Sequence, residues 1–578
     1  MEDEFMEKVQ MQSDNGLSEA SAVVAGETGS TKEKKEKKPK EKKAPVAVNQ
    51  GAKGSDLQKQ GNRDGMEVKK LQDFALWYTQ LMTKAELIEY YDVAGCYILR
   101  PWAWSMWESV KEWFDGEIKK LGVENACFPL FVSSSRLSVE KDHVEGFSPE
   151  VAWVTRSGNH DLEEPIAIRP TSETIMYPQY AKWIRSHRDL PLKLNQWTNV
   201  VRWEFKHPTP FIRSREFFWQ EGHTAFATLE EAAAEVLVIL SLYQQIYEYL
   251  LAVPVIRGFK SEGEKFAGGL YTTTVEAFIP PNGRAVQAAT SHCLGQNFGK
   301  MFDISFDDGS GKKQYVWQNS WGCTTRSLGV MCMVHGDDSG LVLPPRVAPI
   351  QVIIIPILGG KVAETEANMV MAKVDEIVSA LKLAGIRVKV EDRKDKSPGW
   401  KFNHWELKGV PLRIEIGPRD VQNEQFVCVT RLNKEKTTVA LADLATMIPG
   451  MLDGIHNAML RGAFEEYRSR ITVGRTWAEF ASGLEKANVI LVPWCTDSEC
   501  EESAKKRSGA KEASVSSSEN SAESSSDARA LSGAAKTLCI PLEEELERFG
   551  LPTSLDPSDS CFACARPATK WTLWGRSY

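Results

Sequence analysis

The sequence has no apolar run near the roughly 20 residues that a membrane-spanning helix requires. One of the longer runs, Val352 to Leu358, is β-branched and interrupted by Pro356, so a buried strand is expected there. The opening Met-Glu-Asp-Glu-Phe lacks the basic and then apolar segments of a secretory signal, and none is expected. Cysteine is sparse, with eleven in 578 residues, scattered singly except near the C-terminus. That excludes a disulfide-stapled scaffold and fits a reducing, cytoplasmic setting. Neither sign of charge dominates: 70 Lys+Arg stand against 78 Asp+Glu, a net charge of −8. Residues 1–65 hold 12 basic and 12 acidic residues, so the whole excess belongs to residues 66–578. Phosphate-rich partners need local positive charge, so a nucleic acid would have to be met by basic faces that the total conceals. The phosphate-binding loops Gly-x-x-x-x-Gly-Lys-Ser/Thr and Gly-x-Gly-x-x-Gly are both missing, and a nucleotide would have to be held by other means.

What is present is the composition of a globular protein, 42% hydrophobic and 26% charged, long enough for several cores. Residues 1–65 have few large apolar side chains and carry a Lys/Glu run from Lys32 to Lys43, so a disordered charged extension is expected. Leu71, Phe74, Ala75, Tyr78, Leu81 and Met82 recur at helical spacing, as do Trp107, Val110, Phe114 and Leu121, the latter helix ending at Gly122. Ala126 to Val132 is expected to be a strand. Irregular strand-like runs through Met333 predict an α+β domain on an antiparallel sheet, over residues 66–343. Leu343-Pro344-Pro345 is expected to be a linker. Alternating strands and helices from Ile350 then predict an α/β domain over residues 344–450. Residues 451–578 form a last small α+β module with a Ser-rich loop, 504–535.

The chemistry begins at Val201-Arg202-Trp203-Glu204-Phe205 and Arg213-Ser214-Arg215-Glu216-Phe217-Phe218-Trp219, two strand-like runs flanking a loop. Arg202 and Glu204, two apart, would share one strand face. A guanidinium grips phosphate or carboxylate bidentately, and a carboxylate accepts from an exocyclic amine. Arg213 adds a loop cation, and Phe217 a ring on which a base could stack. Near the C-terminus, Cys495-x-x-x-x-Cys500 and Cys561-x-x-Cys564 have the paired spacing of a tetrahedral structural zinc site. Cys539 is either a substitute ligand or a buried thiol.

Arg-x-Glu, loop, Arg-x-x-x-Phe resembles motif 2 of the class II aminoacyl-tRNA synthetases. Gly122 to Phe131 is similar to motif 1, and Trp321-Gly322-Cys323-Thr324-Thr325-Arg326 to motif 3, with Thr325 replacing the usual acidic residue. The class I signatures His-Ile-Gly-His and Lys-Met-Ser-Lys-Ser are absent. The phrases Gly95 to Trp102, Arg169-Pro170-Thr171-Ser172-Glu173-Thr174, Trp219-Gln220-Glu221-Gly222-His223 and Gln287 to His292 narrow the resemblance. With Gly399 to Glu406, Glu415 to Asp420 and Gly575-Arg576-Ser577-Tyr578, they resemble the eukaryotic/archaeal-type prolyl-tRNA synthetases over about residues 70 to 578.

The resemblance implies a homodimer with a class II antiparallel-sheet catalytic domain, an anticodon-binding domain and a C-terminal zinc-binding-like domain. It implies L-proline, ATP and tRNA(Pro) as substrates, with Mg2+ accompanying the triphosphate and Zn2+ on Cys495, Cys500, Cys561 and Cys564. Arg202 and Arg326 would be catalytic. ATP would be held by Arg202, Trp203, Glu204, Arg213, Ser214, Phe217, Gln287, Thr290, Thr324 and Arg326. Thr171, Glu173, Arg202, Trp219, Phe266 and His292 would hold proline. Lys401, Phe402, Arg413, Glu415 and Arg431 have chemistry suited to anticodon bases. The tail at Tyr578 would approach the active site, and no editing domain is expected within the chain. The rivals are a class II relative specific for another amino acid such as threonine, a noncatalytic tRNA-binding paralogue, and a zinc-ribbon RNA-binding protein.

Overall fold

The computed structural model of the protein describes residues 65–137, 151–203, 208–358, 362–515 and 533–578. The expected disordered extension, Glu204 and much of the Ser-rich segment lie outside these residues. Asp73 caps the first described helix, Phe74–Lys84, its carboxylate accepting from the Leu76 amide at 3.0 Å. The buried face of that helix is Trp77, Tyr78, Leu81 and Met82. Leu71 and Ala75, expected on the same face, are exposed, because the helix starts only at Phe74 and Ala75 falls on its solvent side. Helix Pro101–Lys120 buries Trp107, Val110, Phe114 and Ile118, and Gly122 follows it with φ +78°.

These helices cover a mostly antiparallel 11-stranded sheet. From one edge it runs Ile471–Val473, Val489–Trp494, Lys570–Gly575, Lys536–Pro541, Val255–Phe259, Tyr271–Ile279, Arg284–Gly295, Trp317–Thr324, Glu216–Phe226, Leu192–Val201 and Glu124–Asn125. Two glycines are required by close approach inside it. A Cβ at Gly222 would lie 2.3 Å from the buried ring of Trp321, and one at Gly258 would lie 2.4 Å from the Ile540 carbonyl.

Three expectations are corrected here. Ala126 to Leu130 runs without a strand ladder, which forms only at Phe131–Ser133 and in the short Glu124–Asn125. Its amides are satisfied singly instead, Ala126 donating to the Asn195 carbonyl at 2.8 Å and Phe128 to Gln196 Oε1 at 3.1 Å. The Leu343-Pro344-Pro345 segment is not a free linker: Leu341, Leu343, Val347 and Ala348 are buried in the catalytic core. Arg387 fixes it by donating to the carbonyls of Pro345, Arg346 and Ala348 at 2.8–3.0 Å. The expected loop 504–535 is helical in its first part, within Ser498–Val515, supported by the Glu502–Lys506 ion pair at 2.7 Å.

The second sheet has five strands in the order Val388–Val390, Val352–Pro356, Leu412–Ile416, Gln425–Thr430 and Lys436–Ala440. The first three are parallel and the last two antiparallel. Helix Glu364–Leu383 and the long helix Leu444–Ser469 bury one face through Val370, Val374, Ile377, Ile448 and Leu452. Trp405 covers Ile353 and Ile355 on the other. The described strands of the C-terminal module all belong to the 11-stranded sheet. Its strand Lys536–Pro541 pairs with Val255–Phe259, joining the module to the catalytic sheet.

Four histidines are held neutral by burial, His292 lowered to about 3 and His335, His404 and His456 each to about 4. Their ordinary value is about 6.5. Folding therefore favours the unprotonated forms: this stability is present above the ordinary histidine value and is lost as pH falls toward the folded values. Between pH 7 and pH 5 the urea midpoint is expected to fall, with unfolding taking up about three to four protons near pH 5 by this linkage. A midpoint independent of pH over that range would refute the assignment.

Candidate active site

A cavity of about 270 Å³ opens on the face of the catalytic sheet between the strands Glu216–Phe226, Arg284–Gly295 and Trp317–Thr324. Arg202 lines it. The residue lies one position past the end of strand Leu192–Val201, but its amide continues the ladder by donating to the Arg215 carbonyl at 2.8 Å. Its Nε donates to the Pro170 carbonyl at 3.0 Å, tying it to the turn that carries Thr171 and Glu173. Its guanidinium lies 5.6 Å from the Phe217 ring centre and 5.4 Å from that of Trp219.

On one side of Arg202 the cavity is cationic. Arg326 begins helix Arg326–His335, and its Nη1 and Nε donate to the carbonyls of Gln287 at 3.0 Å and Ile212 at 3.2 Å. Burial lowers its pKa, and the charges of Arg202 and Arg213 add to the lowering. Like charges gathered around a partly dry cavity favour a polyanion. Ser214, Phe217, Gln287, Thr290 and Thr324 line the same cavity. Two expected residues are placed differently. Arg213 is close enough to influence Arg326 but is not among the cavity-lining residues. Trp203 is 38% exposed and turns outward under Arg215, whose guanidinium sits 4.6 Å from its ring.

On the other side the cavity is acidic and aromatic. Glu173, 3% exposed, accepts from the Thr171 hydroxyl. Phe266 and His292 face each other with ring centres 4.8 Å apart, and Thr272 fixes both, bonding His292 Nδ1 at 2.8 Å and accepting from the Phe266 amide at 2.9 Å. Glu221 and His223, to which the motifs assign no role, also line the cavity. Glu221 accepts from Ser172 at 2.5 Å and from Gln196 at 2.6 Å, and its Oε2 is 3.2 Å from His223 Nε2. Burial alone would lower the His223 pKa, but the Glu221 hydrogen bond and the charges of Glu173 and Glu221 raise it above the ordinary value. The signal was available, since both residues sit in Trp219-Gln220-Glu221-Gly222-His223, and alternation along the strand puts Trp219, Glu221 and His223 on one face.

The C-terminus reaches the turn between strands Tyr271–Ile279 and Arg284–Gly295. Tyr578 donates its amide to the Ala285 carbonyl at 3.1 Å, and its hydroxyl accepts from Asn282 Nδ2 at 2.6 Å. Further away, Cys495, Cys500, Cys561 and Cys564 bring their sulfurs within 4.8 Å of one another, the Cys495–Cys564 and Cys500–Cys561 pairs at 3.6 and 3.7 Å. Zinc–sulfur bonds of about 2.3 Å in a tetrahedron place sulfurs about 3.8 Å apart, which the Cys495–Cys564 and Cys500–Cys561 separations match. Cys539 is not among them. It is a buried thiol whose sulfur would lie 2.9 Å from a Cβ at Gly258.

In the second sheet, Trp405, Arg413, Arg431, Lys434 and Lys436 line a smaller pocket of about 190 Å³. Arg413 lies 4.2 Å over the Phe402 ring and pairs with Glu415 at 2.8 Å. Lys401 is buried and donates to the Glu391 carbonyl at 3.2 Å. Arg431 donates two hydrogen bonds to Asp337, at 2.8 and 2.6 Å.

This fold and site define a class II aminoacyl-tRNA synthetase. Family models match the tRNA synthetase class II core domain (G, H, P, S and T) at residues 153–335 and the anticodon binding domain at residues 351–451. A third, the prolyl-tRNA synthetase C-terminal domain, matches residues 477–578. The cytoplasmic proline--tRNA ligase of Arabidopsis thaliana is 53% identical over 532 residues, covering 92% of this chain and 94% of the relative. The crystal structure of prolyl-tRNA synthetase from Cryptosporidium parvum, complexed with halofuginone and AMPPNP, superposes with a TM-score of 0.81. It is 50% identical and covers 89% of this chain and 98% of that one. The chain belongs to the prolyl-tRNA synthetase family. It spans 33% of the length of the bifunctional glutamate/proline--tRNA ligase of Mus musculus, to which it is 54% identical.

Proposed function

We propose that this chain activates L-proline with ATP and transfers the prolyl group to the 3′ end of tRNA(Pro). A proline carboxylate oxygen attacks the α-phosphorus of ATP, the bond to the β-phosphate oxygen breaks, and pyrophosphate leaves. A terminal ribose hydroxyl of the tRNA then attacks the adenylate carbonyl, releasing AMP. Neither step needs a nucleophile from the protein, so catalysis rests on alignment and on charge stabilisation. The observation that carries this reading is that Arg202 lines one cavity with Arg326 and Glu173, its Nε held on the Pro170 carbonyl. There it offsets the repulsion between a carboxylate and a triphosphate that must meet.

Arg326 would hold the distal phosphates with the charge of nearby Arg213 added to its own, Phe217 would stack on adenine, and Gln287, Thr290 and Thr324 would surround the ribose and the phosphates. Glu204 would accept from the adenine amino group. The donors at that end are neutral amide and hydroxyl oxygens. This suits Mg2+ carried in on the triphosphate, where it would screen charge that the arginines leave uncompensated. Glu173 and Thr171 would receive the secondary ammonium of proline, with Trp219, Phe266 and His292 around its ring. Glu173→Gln keeps the shape but removes the charge. It is expected to raise the KM for proline about 10- to 100-fold with little change in the KM for ATP, as charged hydrogen bonds are worth about 1.5–3 kcal/mol. Equal changes in both constants would reject the assignment.

Zn2+ would be held by the four clustered cysteines in a structural role. The pocket at Trp405 and Arg413 would take an anticodon base, whose stacking and edge contacts suit those side chains. A homodimer and a cytoplasmic location, the latter matching the name of the Arabidopsis thaliana relative, belong to the same reading. So does the absence of cis-editing: between His223 and Gln287 the chain is used by helix Leu229–Gln245 and two strands of the main sheet. Among the described residues, no helix is long and apolar enough to cross a membrane. Amino-acid-dependent exchange of pyrophosphate into ATP tests the first step.

A further inference from the structure

The loop of residues 260–270 joins strands Val255–Phe259 and Tyr271–Ile279, and it places Phe266 against His292 in the cavity. The C-terminal module grips this loop from outside. Glu501, 6% exposed on helix Ser498–Val515, accepts from the Ser261 hydroxyl at 2.7 Å and also from the Thr537 hydroxyl. Ser261 and Thr537 are themselves buried and lie 3.2 Å apart. The other Glu501 oxygen faces Gly263, where a Cβ would lie only 3.0 Å away. Two residues flanking this contact reinforce it: Lys505 and Lys536 reach the two oxygens of Glu264, a cavity-lining residue, at 3.4 and 3.2 Å. At the base of the loop, Lys260 pairs with Glu276 at 2.7 Å and donates to the Leu538 carbonyl at 2.7 Å, both charges almost fully buried.

A buried carboxylate holding two hydroxyls from different parts of the chain fixes their separation more strictly than apolar packing does, because leaving either polar group unpaired is costly. The helix that carries Glu501 is itself anchored through Cys500, one residue earlier, in the cysteine cluster. We infer that Glu501 is a positioning residue for proline recognition: through Ser261 it sets the loop that holds Phe266 against the pyrrolidine pocket, coupling the C-terminal module to amino-acid selection. This rests on the reading of the cavity as a proline site. It assigns to the module an effect on proline affinity that is separate from the phosphate end, where Arg202 and Arg326 are held by other elements.

The test is steady-state ATP–pyrophosphate exchange on the full chain. Glu501→Ala is expected to raise the KM for proline about tenfold, since small displacements of a binding wall are amplified in affinity. The KM for ATP and the rate at saturating proline should stay within about twofold of the parent on the same grounds. Glu501→Gln retains an acceptor oxygen for both hydroxyls and is expected to restore near-parental proline KM. Ser261→Ala, a minimal change on the loop side, should reproduce the proline effect and carries the test alone if Glu501→Ala does not fold. An unchanged proline KM in Ser261→Ala, or proline and ATP constants rising together, overturns the inference. A parent protein without proline-dependent exchange would instead refute the cavity reading on which it rests.

Discussion

Replacing Arg202 with alanine is expected to lower proline-dependent ATP–pyrophosphate exchange by about 10³-fold in kcat/KM, with the fold intact. The estimate follows from removing a charged donor aimed at a site of developing charge, where single neutral donors are already worth about 10²- to 10³-fold. The loss should fall on kcat more than on either KM, because the demand on Arg202 is greatest when carboxylate and α-phosphate approach. Arg202→Lys is expected to recover little, since one ammonium cannot span two oxyanions bidentately as the planar fork does. The structural cost of the alanine variant is modest. Arg202 gives up the Nε contact to Pro170 and its approach to two rings, while its backbone bond to Arg215 stays. Unchanged melting with lost exchange is therefore the expected pattern, and retention of more than a tenth of parental activity would remove Arg202 from the centre of the mechanism.

The second large effect concerns the cysteine cluster. Protein purified without chelator is expected to contain about one zinc per chain, and Cys561→Ala to contain none, because structural sites of this kind are closed four-ligand tetrahedra. Cys561 is buried beside Phe562 and Trp574 in the core of the module. Strand Lys570–Gly575 lies within the 11-stranded sheet, between Val489–Trp494 and Lys536–Pro541. Loss of a metal held by these cysteines would therefore reach the catalytic sheet. Structural zinc contributes on the order of 10 kcal/mol, comparable to the whole stability of a typical domain. Cys561→Ala should accordingly unfold the module in a separate, earlier thermal transition. Zinc-free parent protein with a single unaltered transition would contradict this.

The sequence made the site more legible than the packing around it. Motif residues are set by chemistry that tolerates few alternatives, so Arg202, Phe217, Glu173, His292 and Arg326 could be named from their neighbours in the chain, and the structure gathers them around one cavity. Trp203 shows the limit of that reasoning. The resemblance groups it with Arg202 at the nucleotide, yet beyond the strand's end at Val201 its side chain is 38% exposed beneath Arg215. Long-range pairing was hidden altogether. Nothing near Ile540 announces that it will pair with Phe259, and a module read as separate is continuous with the catalytic sheet. The apolar segment Ala126 to Leu130 reads as a strand from hydrophobicity alone, yet only Phe128 in it is buried and its amides find single partners in place of a ladder. The cysteines were found by spacing, but only the fold could separate Cys539 from the other four.

The most direct test of the central claim is ATP–pyrophosphate exchange by the unmodified protein with each amino acid supplied in turn. Exchange with proline and none with threonine is the predicted result. No exchange with any amino acid, or exchange that depends on threonine, would contradict the account.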